Sequence, residues 1–208
     1  MSLFDTLISQ VDGALRTLNG VETSQRENPA GQAADAELGE DERSHAAGLM
    51  RVNHAGEVCA QALYEGQAAV ARDAETREAL LTAAREETDH LVWCAARLEE
   101  LDSTPSRLNP LFYAASFAMG AVTGLLGDKV SLGFVEATED QVCRHLEAHL
   151  EALPEDDARS RRIIEQMHQD EARHGAEAMA AGGVEFPAPV KALMTAVSRV
   201  MTETTYRV

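Results

Sequence analysis

Apolar positions recur at helical spacing along most of the chain. Leu3, Phe4, Leu7, Ile8, Val11, Leu15 and Leu18 fall on one stripe and predict an amphipathic helix over 1–20 that ends near Gly20. Residues 21–40 lose the stripe and gather Asn28-Pro29, Gly31 and Gly39, which predicts a linker. A long helix is then expected from Asp41 to Arg72, with Gly48, Gly56 and Gly66 in its interior, where small residues let a neighbouring helix come close. A second runs to Leu101, with Asp73 and Thr76 as candidate caps. Ser103, Pro105 and Asn109-Pro110 mark a break. Further helices are expected over 128–153 and 155–181, parted by Pro154 and closed by Gly182-Gly183. After Pro187 and Pro189, a last helix carries Val190, Leu193, Met194, Val197, Val200 and Met201 on one stripe, and ordinary core packing is expected of it. Strict apolar–polar alternation is almost absent, so the chain reads as all-α, with 41–208 as one domain.

One segment breaks the amphipathic pattern. Residues 111–127 are apolar all round, with Asn109 as a candidate cap and Pro110 suited to the first turn. Their length as a helix is about 26 Å, short of a hydrocarbon core of about 30 Å. The segment therefore reads either as a helix lying in a membrane surface or lining an apolar pocket, or as one buried in the bundle.

Composition narrows the partners. The 208 residues are rich in alanine, leucine and glutamate, which are strong helix formers. The formal net charge of −17 argues against nucleic acid as the main partner, because phosphate binding needs basic patches. It also leaves charge for bound cations to neutralise. Cys59, Cys94 and Cys143 are far apart, form no Cys-x-x-Cys pair, and read as reduced thiols in a cytosolic setting. Met1 to Gln10 shows no cationic segment followed by an apolar run, so no secretory signal is expected.

The candidate chemistry lies in a repeat. Glu87-Thr88-Asp89-His90 and Glu171-Ala172-Arg173-His174 are two Glu-x-x-His patterns, each of which aims a carboxylate and an imidazole from one helix face. Each has a lone glutamate upstream at a matched interval: Glu57 is 30 residues before Glu87 (87 − 57), and Glu139 is 32 before Glu171 (171 − 139). Four helices that deliver Glu, Glu-x-x-His, Glu and Glu-x-x-His to one centre form the ligand set of a carboxylate-bridged di-iron bundle. Two ferrous ions would balance four carboxylates that are too costly to bury unpaired. Iron suits this oxygen and nitrogen set; manganese would bind it as well, and zinc suits it less. The predicted metal ligands, which are also the catalytic candidates, are Glu57, Glu87, His90, Glu139, Glu171 and His174. Glu136 competes with Glu139, and the repeat favours Glu139.

Neighbouring residues have candidate supporting roles. Asp170 and Glu86 could each accept the second imidazole N–H of a ligand histidine, or stand as solvated charges. Tyr64, two turns beyond Glu57, could line the cavity. His54 reads as a core or supporting histidine rather than a ligand. His145 reads as a proton relay or a surface group, and His149 and His168 as surface residues.

Arg51-Val52-Asn53-His54-Ala55-Gly56-Glu57, with Glu87-Thr88-Asp89-His90, Glu139 and Asp170-Glu171-Ala172-Arg173-His174, resembles the di-iron demethoxyubiquinone hydroxylases of ubiquinone biosynthesis. The resemblance covers about residues 45–208. It implies a ferritin-like four-helix bundle, with the six ligands falling on the residues named above. It implies an O2-dependent monooxygenase that hydroxylates a 2-polyprenyl-3-methyl-6-methoxy-1,4-benzoquinol, with NADH or the quinol itself as reductant. No Gly-x-Gly-x-x-Gly is present for a dinucleotide site. The resemblance also implies peripheral attachment to the cytoplasmic side of the cell membrane, and other ubiquinone-biosynthesis proteins as partners. The competing readings are another ferritin-like di-iron oxidase or peroxidase, a hydroxylase acting on transfer RNA, which the −17 charge opposes, and a non-enzymatic helical adaptor on a membrane surface.

Overall fold

Four long helices carry the repeat, and their apolar faces explain their order in space. The computed structural model describes residues 3–21, 23–34 and 37–208. Its helices are α1 (Leu3–Asn19), α2 (Glu40–Val70), α3 (Ala74–Glu100), α4 (Asn109–Leu125), α5 (Asp128–Ala152), α6 (Ala158–Ala180) and α7 (Ala188–Thr205), with a 3-10 turn at Pro29–Gln32. No strand occurs among the described residues.

Helices α2 and α3 form one close pair and α5 and α6 another, while α3 meets α6, and α2 meets α5, over far less length. The chain crosses between the pairs through α4. This is the ferritin-like four-helix arrangement. Side chains are layered along the bundle. At one end Met50, Trp93, Leu98, Leu146, Ile163 and Met167 form an apolar cluster. At the other end Tyr64, Leu80, Leu132, Val135 and Ala178 form a second. Glu57, Glu87, Glu139 and Glu171 belong to the layer between, and all four are buried.

Helix boundaries follow local chemistry. Asp73 caps α3 by accepting the Thr76 N–H at 2.8 Å, and Asp157 caps α6 through the Ser160 N–H at 3.0 Å. Asn109 does not act as the cap of α4. Leu108 holds that place, and Asn109 is the first helical residue, with its side chain 3.3 Å from His54 Nδ1.

Helix α4 is half in and half out. Its inner face meets α2 backbone to backbone: a Cβ on Gly66 would stand 2.2 Å from Phe117 O, and one on Gly120 would stand 2.2 Å from Leu63 O. Of the three glycines predicted to permit a close approach, Gly66 meets α4 and Gly48 meets the Tyr206 ring, whereas nothing lies within 4 Å of Gly56. The outer face of α4 leaves Leu111, Met119, Val122 and Leu125 exposed. No helix among the described residues is long and apolar enough to cross a membrane.

Two further expectations are corrected. The stripe on α7 is not core: Leu193, Val197 and Val200 are 66%, 55% and 64% exposed. A helical stripe shows that one face is apolar, not that a partner covers it. His149 is not a surface residue. It is buried, with Nδ1 2.7 Å from Asn53 Oδ1.

Candidate metal centre

Helices α2, α3, α5 and α6 each turn one glutamate into the polar layer, and α3 and α6 add a histidine one turn later. One ligand atom each from Glu57, Glu87, His90 and Glu171 lies within 4.8 Å of all the others. His174 joins through Nδ1, which is 3.1 Å from Glu171 Oε2 and 3.3 Å from Glu87 Oε1. Glu139 stands outside the tightest group but interacts electrostatically with Glu171 and Glu87, and one of its oxygens accepts the Tyr64 hydroxyl. Glu136 points elsewhere and pairs with Lys191 at 3.2 Å.

The two histidines are held in crossed fashion. His90 Nε2 lies 3.0 Å from Asp170 Oδ2, so a carboxylate on α6 serves the histidine of α3. His174 Nε2 lies 2.8 Å from Glu86 Oε2, so a carboxylate on α3 serves the histidine of α6. With an N–H on each Nε2 donating outward, Nδ1 is the nitrogen turned to the centre, and it would offer its lone pair to a metal once free of its own proton. Arg173 holds Glu86 at 2.6 Å and reaches Asp170 at 3.2 Å.

The donor set fits divalent cations. His90 Nδ1 faces three carboxylate oxygens at once, at 3.0 Å (Glu87), 3.0 Å (Glu171) and 3.4 Å (Glu57), and one proton cannot serve all of them. Glu139 Oε2 is fully buried without a hydrogen-bond partner, and Glu87 Oε1 and Glu171 Oε1, equally buried, have only a poorly aligned histidine Nδ1 at 3.3 Å and 3.0 Å. Buried acceptors of that kind are costly unless a cation meets them. The proton balance points the same way. Burial, reinforced by Glu171 and Glu87, pushes the Glu57 and Glu139 carboxyls well above the usual range. Glu87 is also lifted by burial, but hydrogen bonds from His174 and His90 outweigh this and hold it below the usual range. Burial opposes charge on both imidazoles, yet the carboxylates prevail: His90 is driven well above its ordinary value by Asp170 and Glu171, and His174 is driven up to about 12 by Glu171 and Glu87. A layer that draws protons onto both histidines and two of its glutamates is short of positive charge, and two divalent cations would supply it.

The remaining candidates sit at the edges. Tyr64 is fully buried against Glu139. His54 is buried beside Asn109, and burial lowers it to about 4, which keeps it neutral. His145 is partly buried against His149, with ring centroids 3.9 Å apart. His168 pairs with Glu147 at 3.1 Å. Sequence reasoning missed Arg26, which comes from the segment before α2 and bonds to Asp89 and Asp170. The available signal was inside the repeat: position 89 holds an acid where the second copy holds Arg173.

Comparison with known proteins agrees in breadth. The family model described as "Ubiquinone biosynthesis protein COQ7" matches residues 44–205. A 3-demethoxyubiquinol 3-hydroxylase of Ectopseudomonas mendocina is 59% identical over 205 residues, 98% of this chain and 95% of the relative. A protein of the same name from Cupriavidus pinatubonensis is 59% identical over 206 residues, 98% and 100% of the two chains. One from Ralstonia pickettii is 56% identical over 217 residues, 99% and 100%. With a buried four-helix carboxylate and histidine cluster inside the matched region, the chain belongs to the COQ7 family of ubiquinone-biosynthesis proteins.

Proposed function

We propose that the protein is a di-iron 3-demethoxyubiquinol 3-hydroxylase, with Glu57, Glu87, His90, Glu139, Glu171 and His174 as the metal ligands. The observation that carries the reading is the crossed pair: His90 with Nδ1 against Glu57, Glu87 and Glu171, His174 with Nδ1 against Glu87 and Glu171, and each with Nε2 toward a carboxylate on the opposite helix. Bound iron would supply the activation of dioxygen. The balance is one oxygen atom into the quinol ring and one into water, with two electrons and two protons supplied either by NADH together with one proton from solvent or by the quinol itself, which then leaves as the quinone.

The chain's own residues prepare the site. Asp170 and Glu86 fix the imidazole tautomers. Tyr64 donates to Glu139 and limits the swing of that carboxylate. Trp93 and Met167, both buried, close one end of the polar layer to water, and Leu80, Leu132 and Val135 close the other. The exposed apolar residues of α4 and α1 support peripheral attachment to a membrane, where a polyprenyl substrate is dissolved, and the cytoplasmic side of the cell membrane is part of the same proposal. Other ubiquinone-biosynthesis proteins are the expected partners, and nucleic acid is not.

The test is anaerobic iron loading followed by single-turnover hydroxylation of demethoxyubiquinol. The parent should bind about two irons per chain. Glu171→Ala should weaken iron binding by more than the ~10–100-fold that loss of an outer hydrogen-bond partner costs, and should lose product with it. Full turnover by Glu171→Ala, or a metal-free parent that still hydroxylates, would remove the reading.

A further inference from the structure

The twofold repeat is uneven at one position, and the chain corrects it from outside the bundle. In the second copy, Arg173 stands one residue before His174 and clamps Glu86, the carboxylate that holds His174 Nε2. In the first copy, the residue before His90 is Asp89, so this copy carries no cation of its own; Arg173 reaches Asp170 only at Oδ1, at 3.2 Å, and not at Oδ2, the oxygen that faces His90. Arg26 arrives there from the irregular segment between α1 and α2. Its Nη1 donates to Asp170 Oδ2 at 2.8 Å, the same oxygen that faces His90 Nε2. Its Nε donates to Asp89 Oδ2 at 2.7 Å, while the Gln25 N–H takes Asp89 Oδ1 at 2.6 Å. The guanidinium lies over the Trp93 ring, 4.8 Å from its centroid.

We propose that Arg26 is a positioning residue of the metal centre: by clamping Asp170 and Asp89 together it holds His90 in the tautomer and orientation that present Nδ1 to a metal. Arg26 touches neither substrate nor reacting atoms; it acts through Asp170, and its Nη2 also stands 3.3 Å from His90 Nε2, against the outer edge of the imidazole. The inference rests on the metal-centre reading above.

A planar fork suits the task. Two carboxylates on different helices must be bridged at fixed angles, which an ammonium point charge does poorly. Anchoring of the segment does not depend on Arg26. Ala30 and Leu38 are buried in the apolar cluster with Trp93 and Ile163, so the segment has its own hold on the bundle. Replacement of Arg26 therefore removes the clamp and leaves the strap docked.

The probe is cobalt(II), loaded without oxygen into the full chain, and the readouts are its visible absorption and its release to a chelator. Arg26→Gln should release cobalt roughly 10–100-fold faster than the parent and shift the absorption envelope, the penalty typical of a lost partner behind a ligand histidine. Arg26→Lys should fall between the two. Asp89→Asn, which frees one arm of the clamp and leaves Asp170 in place, should give a smaller acceleration than Arg26→Gln. Release and spectrum in Arg26→Gln within twofold of the parent would overturn the inference while leaving the metal centre standing. If Arg26→Gln does not fold, parent-like behaviour in both Arg26→Lys and Asp89→Asn overturns it equally. A parent that takes up no cobalt or iron would overturn the metal-centre reading, and this inference with it.

Discussion

His149 is buried beside the His145 ring and near His45, and among the described residues no carboxylate pairs with it to favour its charged form. Burial first, then those two imidazoles, lower it to about 3. Its ordinary value is about 6.5. The unfolded chain therefore takes a proton at His149 long before the folded protein does. Stability tied to this residue is intact above about pH 6.5 and is lost progressively as pH falls toward about 3. At about pH 5 the loss amounts to roughly 2 kcal/mol. His149→Gln keeps polar reach toward Asn53 and cannot titrate. Urea unfolding of the parent and variant at about pH 7.5 and about pH 5 measures the difference, and the acid-induced drop should shrink by about 2 kcal/mol in the variant. An equal drop in both proteins would assign the acid sensitivity to other groups.

Between helices, the closest contact is the crossing of α2 and α4, and it is set by glycine. A methyl group at Gly66 would meet the Phe117 carbonyl at 2.2 Å, and backbone cannot step aside as a side chain can. Gly66→Ala should cost about 1–3 kcal/mol through overpacking. Gly56→Ala, ten residues earlier on the same helix with nothing within 4 Å, should instead stabilise by about 0.5–1 kcal/mol. Thermal midpoints give the comparison: opposite shifts of about 2–4 °C per kcal/mol are expected, and shifts of one sign would mean that the crossing is looser than it stands. The sequence does not distinguish these two glycines, because helical spacing identifies a face without naming what covers it. The same limit hid the exposure of α7's stripe and the burial of His149. The bundle itself was legible, since every long helix announces its apolar face. The polar layer was legible too, because Glu-x-x-His recurs with a matched upstream glutamate. Arg26 was not, because its contacts span 63 residues to Asp89 and 144 to Asp170, and nothing periodic marks the segment that carries it.

On the scale of the whole molecule, a net charge of −17 coexists with apolar residues left open on neighbouring elements. Helix α1 packs against α2 and α4 and exposes Val11 and Leu15; α4 exposes Leu111, Val122 and Leu125, and Leu126 just beyond it. Strong negative charge opposes adsorption to anionic lipid, so attachment to a bilayer must come from apolar burial. Two consequences follow for vesicle flotation of the intact protein. Binding to neutral phosphatidylcholine should persist when salt is raised, and adding anionic lipid should weaken it. A Val122→Glu, Leu125→Glu double variant forfeits the burial of two side chains at about 1.5–3 kcal/mol each, so its partitioning should fall by well over about ten-fold. Its metal content should stay at the parent level, because both side chains point away from the polar layer into solvent, at 57% and 61% exposure. Flotation that vanishes at high salt, or that survives the double substitution, would mean that the outer face of α4 is not what meets the bilayer.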